Sequence, residues 1–154
     1  MSVVLSLLPV GIALCATVHQ SISRIIKMRN ENKLNSEENI LLETNFSDEI
    51  TLIKTLEEHG YCVDKINNEL VIKTSNGILR YVFNSIRNAF DLIISEIQNI
   101  DNFIEELKAL DSEYSANIQT NTYLTIKNNI KANNCYVVSE EVLDDDSILI
   151  RIDV

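Results

Sequence analysis

A run of acidic residues near the C-terminus contains the side chains best suited to bind a metal. Glu140, Glu141, Asp144, Asp145 and Asp146 place five carboxylates within seven residues, and hard cations such as Ca²⁺ prefer oxygen ligands. An EF-hand loop also needs a glycine at its sixth position and a glutamate at its twelfth, and this segment has neither. Aspartate is common in turns because its side chain bonds to nearby backbone. We therefore interpret the segment as a solvated hairpin turn and predict no metal site.

The histidines and cysteines form no pattern that is typical of a metal site or of a catalytic pair. His19 and His59 are far apart and have no third ligand in register, whereas a zinc site needs three or four protein ligands. Cys15, Cys62 and Cys135 are odd in number and contain no CxxC pair, which is typical of reduced thiols in a cytosolic or cytosol-facing protein. Cys62 lies three residues after His59, but its apolar surroundings favour a strand over an activated nucleophile. We predict no cofactor.

Composition excludes two further classes of function. The chain has only three glycines, so no glycine-rich loop can surround a phosphate. Its net charge is −10, and residues 34–154 hold nine Lys or Arg against twenty-two Asp or Glu, whereas nucleic-acid binding needs clustered cations. The five tyrosines could stack on bases, but acidic surroundings favour their packing in a core or an interface. The sequence thus predicts neither an enzyme nor a nucleic-acid partner.

The N-terminal segment is the most distinctive part of the chain. Its first eighteen residues carry no charge, and four Lys or Arg against one Glu follow in the next fifteen. We predict a hydrophobic leader helix over residues 1–27. As a helix, the apolar run 3–18 would be about 24 Å long, somewhat short of a hydrocarbon core of roughly 30 Å. The apolar residues predicted to form the anchor are Val3, Leu5, Leu8, Ile12, Leu14 and Val18.

Three environments for this leader stay open: a membrane through residues 1–22, a partner subunit or the rest of the chain, and a signal peptide that is cleaved. The signal peptide fits poorly because no basic residue precedes the apolar run. The basic flank, Arg24, Lys27 and Arg29, follows the run instead. If the leader inserts, the positive-inside rule places the remainder in the cytoplasm.

The remainder of the chain predicts an α+β fold. We interpret residues 28–45 as a polar linker and residues 46–154 as an acidic α+β domain. A helix capped by Ser47 ends at Gly60, and Asn76-Gly77 indicates a hairpin because both residues tolerate positive φ. Alternating apolar residues at 148–154 predict a final strand with one buried face. The order of elements predicts a small antiparallel sheet of hairpins packed by two or three helices, preceded by the hydrophobic helix.

Several short segments resemble an uncharacterised family of conserved plastid and cyanobacterial reading-frame proteins. The resemblance covers residues 50–152, about two-thirds of the chain. Its motifs are Leu56-Glu57-Glu58-His59-Gly60-Tyr61, Val71-Ile72-Lys73-Thr74, Asn76-Gly77, Tyr114, Tyr123, Tyr136-Val137-Val138, Glu140-Glu141-Val142 and Asp146-Ser147-Ile148. The resemblance implies a fold and no established activity. This chain departs from the family in its apolar leader and in lacking the aromatic-rich middle of plastid members.

Two functional hypotheses follow from the apolar leader and the acidic remainder. In the first, the protein is a non-enzymatic adaptor held at the cytoplasmic face of a bacterial membrane by its leader, and its acidic domain binds a protein partner. In the second, it is a soluble cytoplasmic subunit of a larger assembly or homo-oligomer, with the leader buried between protomers.

Overall fold

We analysed a computed structural model of the chain, which describes residues 1–7, 23–25, 27 and 39–153. The chain is α+β and divides into two compact units. Ala13–Tyr114 forms one of them, which we call the five-stranded unit; Met1–Ile12 and Ser115–Val154 form the other, the three-stranded unit. The predicted fold class is confirmed, but the strands form two antiparallel sheets instead of one.

The described residues form eight strands and two long helices, and those after residue 46 follow one another in the predicted order. They are β1 (Ser2–Leu7), β2 (Ile40–Glu43), α1 (Glu49–Glu58), β3 (Asp64–Ile66), β4 (Glu69–Thr74), β5 (Gly77–Asn84), β6 (Ala89–Ser95), α2 (Ile100–Ala132), β7 (Tyr136–Val142) and β8 (Ile148–Asp153). Residues 23–25 and 27 are also helical. α2 contributes its first part, up to Tyr114, to the five-stranded unit and the remainder to the three-stranded unit.

The five-stranded unit contains a sheet with the strand order β2-β6-β5-β4-β3. The predicted turn before β5 is present, and Gly77 itself is the first residue of that strand, opposite Thr74. A β-carbon at Gly77 would lie 2.8 Å from the carbonyl oxygen of Ser95, and its φ is +150°. Only glycine fits this combination of close approach and backbone angle. Alternate residues of β4, β5 and β6 are buried and form the core with α1 and α2.

Two local predictions differ from the structure in this unit. The N-cap of α1 is Asp48, whose carboxylate accepts a hydrogen bond from the Thr51 N–H at 2.7 Å, and Ser47 lies one residue before it. The predicted linker, residues 28–45, includes a strand in its last part. Ile40–Glu43 forms β2 and pairs with β6, which buries Ile40 and Leu42 in the core.

The three-stranded unit contains a sheet with the strand order β1-β8-β7. Its core is formed by Ile130 of α2 with Ile150 and Ile152 of β8. β7 pairs with β8 antiparallel, and a β-bulge lies between Val137 and Ser139.

The predicted leader helix over residues 1–27 is wrong at its start, because residues 2–7 form a strand. β1 pairs antiparallel with β8, which places Leu5 opposite Ile150. The pairing satisfies backbone groups along one side of β1 and places Val3, Leu5 and Leu7 on one face, with Ser2 and Ser6 on the other. This alternation is a strand pattern within the apolar run. Residues 8–18, the remainder of that run, lie outside the described residues.

Candidate interaction surface

An open apolar concavity lies in the three-stranded unit. It has a volume of about 440 Å³ and lies between β1 and the C-terminal part of α2. We call it the β1 groove. Asn129 and Asn133 supply its polar atoms. Its apolar lining consists of Val3, Leu5, Ile126, Ile130, Cys135 and Ile152.

The groove exists because α2 covers only part of the sheet. The antiparallel register places Val3 opposite Ile152 and Leu5 opposite Ile150, so all four side chains point to the same face. Ile150 is 0% exposed and Ile152 is 6% exposed. By contrast, Val3 is 41% exposed and Leu5 is 39% exposed. α2 therefore covers the central strand β8 and leaves the apolar side chains of β1 accessible.

A cluster of three polar side chains joins α2 to β7 in the same unit. Tyr123 donates a hydrogen bond to the Glu140 carboxylate, and Lys127 Nζ lies 2.9 Å from Glu140 Oε1. Lys127 Nζ also lies 3.1 Å from the Tyr123 hydroxyl. The Tyr123 bond, followed by the Lys127 bond, lowers the pKa of Glu140, and the bond to Glu140 raises the pKa of Lys127.

These pKa directions argue against acid–base catalysis by this cluster. A general base or acid works best with a pKa near the operating pH. The shifts at Glu140 and Lys127 move both groups away from neutrality, so both stay charged. The cluster is suited to holding α2 against β7.

In the acidic turn before β8, the carboxylate of Asp145 is bonded within the turn itself. Asp145 accepts hydrogen bonds from the hydroxyl and the N–H of Ser147, the latter at 3.0 Å. The hydroxyl bond is the main reason that the pKa of Asp145 is lowered. Asp146 has a φ of +61°, as expected for a turn residue. Within the described residues, no group of three His, Cys, Asp or Glu side chains lies close enough to hold a metal ion.

His59 and the thiols of Cys62 and Cys135 lie in different surroundings in the structure. His59 is the C-cap residue of α1, and its Nδ1 lies 3.0 Å from Glu113 Oε2. Its ring also packs on Tyr61 at a centroid distance of 5.2 Å. Cys62 is an exposed free thiol, and the thiol of Cys135 lines the β1 groove.

A buried polar cluster in the five-stranded unit has no counterpart among the sequence-based predictions. Asn76 Nδ2 donates to Glu106 Oε1 at 2.6 Å. Burial, followed by the charge of Glu106, raises the pKa of Tyr61 to about 12. Burial and the neighbouring Tyr61 also raise the pKa of Tyr81. Both phenols stay protonated at neutral pH, so neither can serve as a base. No sequence pattern predicts that these residues form a cluster, because the packing of α2 on the sheet brings them together.

The structure describes only some of the predicted anchor residues and of the predicted basic flank. Val3 and Leu5 lie on β1 and line the β1 groove. Arg24 and Lys27 are exposed, on either side of the buried Ile25. Within residues 1–7, 23–25, 27 and 39–153, no helix is both long and apolar enough to cross a bilayer. The other predicted anchor and flank positions lie outside the described residues, namely Leu8, Ile12, Leu14, Val18 and Arg29.

Comparisons of this chain with protein-family models, with curated proteins and with solved structures give no match. The resemblance to the plastid and cyanobacterial family therefore stays a prediction that rests on short motifs alone.

Proposed function

We propose that this protein is a non-enzymatic subunit of a protein assembly and that it makes its contacts through the β1 groove and the adjoining strand β1. The observation that carries the proposal is the exposure of Val3 and Leu5 on the apolar face of a folded sheet. Exposed apolar surface in a concavity is typical of a binding surface for protein or ligand. The groove has only two asparagine side chains among its lining residues, so it offers few polar groups for orienting a reactive small molecule.

The distribution of charge supports protein contact in place of catalysis. β1 contains no ionisable side chain in a chain with a net charge of −10. Interface centres are depleted in charged residues, whereas the surrounding rim is polar. Two of the ionisable groups of this unit with shifted pKa values, Glu140 and Lys127, are shifted away from neutral pH and bond to each other. They are suited to a structural role beside the groove.

The test compares capture of host proteins by the tagged full-length chain and by two variants. Leu5→Glu places a charge in the groove, and Leu41→Glu places the same charge on an exposed leucine of β2 in the five-stranded unit. We expect proteins retained from a detergent extract of the native host to be lost with Leu5→Glu and kept with Leu41→Glu. Equal retention by all three proteins, or turnover of a small molecule by the purified chain, would contradict the proposal.

A membrane-held adaptor is the second candidate function. It is favoured by the exposure of Arg24 and Lys27, which follow the apolar run in sequence. Cations at this place can contact anionic headgroups on the cytoplasmic face. The test is fractionation of the native protein. Sedimentation with membranes and release by detergent would support the adaptor, and complete recovery in the supernatant without detergent would exclude it.

A further inference from the structure

We propose that the partner at the β1 groove is a second copy of this chain, joined by antiparallel pairing of the two β1 strands across a two-fold axis at Val4. The inference rests on the proposed function, since it names the partner of the same surface. It predicts a six-stranded sheet that runs through both copies, with the order β7-β8-β1 in each half.

β1 is an edge strand of the three-stranded sheet. Within the described residues, β1 has β8 on one side and no strand on the other. Natural sheets protect such edges with charges, proline or a bulge, because free backbone N–H and C=O groups can pair with another strand. β1 has six residues with none of these devices. The opposite edge, β7, has both a bulge and two glutamates. The sheet is therefore protected at one edge and open at the other.

Residues 2–6 of β1 keep the same order of polar and apolar side chains when the strand is reversed. In a two-fold antiparallel pair centred on Val4, the residues that face each other have numbers that add to the same total. Ser2 then faces Ser6 of the second copy, and Val3 faces Leu5 of the second copy. Val4 faces its own counterpart. Every pair joins like with like, so no polar side chain lies opposite an apolar one in this arrangement.

A two-fold axis at Val4 also places the apolar faces of the two copies on the same side of the joined sheet. Directly opposite residues in an antiparallel pair point to the same side. The apolar face of β1 in one copy therefore continues into the apolar face in the other, so Val3 and Leu5 of both copies meet in one row. A two-fold axis at Leu5 would also place the apolar faces on the same side, but it would put Val4 opposite the hydroxyl of Ser6. The matched pairs favour the axis at Val4.

The absence of charged side chains on β1 permits pairing with a second copy of this chain at the edge. Two molecules of net charge −10 repel each other at long range. β1 has no ionisable side chain, so no like charges lie opposite each other in the pair. Screening by salt weakens the remaining repulsion between the acidic surfaces. Pairing should therefore strengthen as the salt concentration rises.

The first experiment measures the mass of the purified full-length chain by size-exclusion chromatography with light scattering. We expect twice the chain mass of 17.5 kDa. Val4→Lys should halve that mass because it places two ammonium groups opposite each other at the axis. Val138→Lys puts the same charge on an exposed residue of β7 and should leave the dimer intact. A monomeric wild-type protein, or equal dissociation of both variants, would overturn the proposal.

Cysteine cross-linking tests the register and does not depend on the folding of a charged variant. The three native cysteines are replaced by alanine, and single cysteines are introduced on β1. Oxidised Val4→Cys should form a disulfide-linked dimer, because the two β-carbons face each other across the axis. Ser6→Cys should stay uncoupled, since it faces Ser2. Cross-linking of Ser6→Cys, or of Leu5→Cys in place of Val4→Cys, would overturn the register.

The outcomes also separate this inference from the proposed function. A monomeric chain that still retains host proteins through Leu5 would overturn the self-pairing and leave the interaction function standing. A monomeric chain with no Leu5-dependent retention would overturn both.

Discussion

The hydroxyl of Tyr114 accepts hydrogen bonds from the backbone N–H groups of Ser47 and Asp48, each at 3.0 Å. Tyr114 is almost fully buried, and its ring packs on Phe46 at a centroid distance of 4.5 Å. One side chain of α2 therefore fixes the start of α1. By contrast, the buried hydroxyl of Tyr81 has no hydrogen-bond partner within the described part of the chain. Two buried tyrosines thus differ in what their hydroxyl groups contribute.

We predict different effects on the free energy of unfolding when each of these tyrosines is replaced by phenylalanine. Tyr114→Phe should lower the free energy of unfolding by about 1–2 kcal/mol, because it leaves two N–H groups without their acceptor. Tyr81→Phe should be neutral or stabilising, because it removes a buried polar group that makes no hydrogen bond. Urea denaturation followed by circular dichroism measures both. Equal losses in the two variants would contradict this assignment of the hydroxyl groups.

The cap of α1 gives a second matched comparison. Asp48→Ala should cost about 1 kcal/mol, because it removes the acceptor for the Thr51 N–H. Ser47→Ala should change the free energy of unfolding by less than about 0.5 kcal/mol, since the side chain is exposed. Chemical denaturation of both variants provides the measurement. A larger loss of stability for Ser47→Ala than for Asp48→Ala would identify Ser47 as the cap, as the sequence predicts.

At this scale, the choice of N-cap for α1 could not be predicted from the sequence. Ser47 and Asp48 are both good N-caps by residue type, and the choice depends on the backbone. The N–H of Ser47 is held by Tyr114, a residue 67 positions away. Asp48 has the extended φ and ψ of a cap, −103° and 112°. Such long-range contacts are not contained in a local pattern.

At the scale of elements, Glu140 connects β7 to α2 and makes the stability of the three-stranded unit depend on pH. Its pKa is lowered from an ordinary value of 4.5 in the folded protein. A lowered carboxyl pKa contributes stability above the unfolded pKa, and the contribution is lost as pH falls through the folded pKa. We predict that Glu140→Gln removes part of the loss of stability on acidification below about pH 5.

The measurement is the urea midpoint of the wild type and the variant across this range. Glu141→Gln is the matched control, because Glu141 is the exposed neighbour of Glu140 on β7. The wild-type and Glu140→Gln midpoints should converge at low pH, where the carboxyl group is protonated in both states. Parallel curves for all three proteins would contradict the role of Glu140.

Elements with strong local signals are predictable from the sequence, whereas β1 depends on a distant strand. Asn67 and Asn68 adopt positive φ in the turn between β3 and β4, as their residue type allows. The apolar run that continues to Val18 favours a helix at the N-terminus. Val3, Leu5 and Leu7 alternate with other residues as in a strand, but a short apolar run fits either structure. Pairing with β8, at the other end of the chain, decides in favour of the strand.

At the scale of the whole molecule, the structure divides a region that the sequence predicts to be one domain. Residues 46–154 contribute to two compact units, and the three-stranded unit also needs the N-terminal segment. Composition and periodicity contain no signal for this division, because α2 is a single uninterrupted helix of 33 residues. The candidate surface is likewise only partly predictable. The apolar run identifies Val3 and Leu5 as contact residues, although in a helix, and no local pattern marks the remaining lining residues.

We predict that deleting residues 1–7 destabilises the three-stranded unit selectively. The deletion removes the strand paired with β8 and uncovers part of the core around Ile150. Amide exchange at 148–153 should accelerate by about tenfold or more, equivalent to about 1.4 kcal/mol. Amides of β5 and β6 should be unchanged. Hydrogen–deuterium exchange with mass spectrometry makes the measurement.

Arg87→Ala serves as the complementary control in the five-stranded unit. Arg87 donates hydrogen bonds to the Thr44 carbonyl oxygen and the Asp91 carboxylate. Its loss should accelerate exchange in β2 and β6 and spare β8. Uniform acceleration across the chain in either variant would show that the two units do not open separately.

The bulge between Val137 and Ser139 has a consequence for growth of the assembly. A bulged strand cannot offer an uninterrupted ladder to an incoming strand, and Glu140 and Glu141 add charge to the same side. In the proposed dimer, addition to the three-stranded sheet is thereby confined to β1, so two molecules use up the available edge of this sheet. Even in concentrated solution, pairing through this sheet should stop at a finite particle and should not produce filaments.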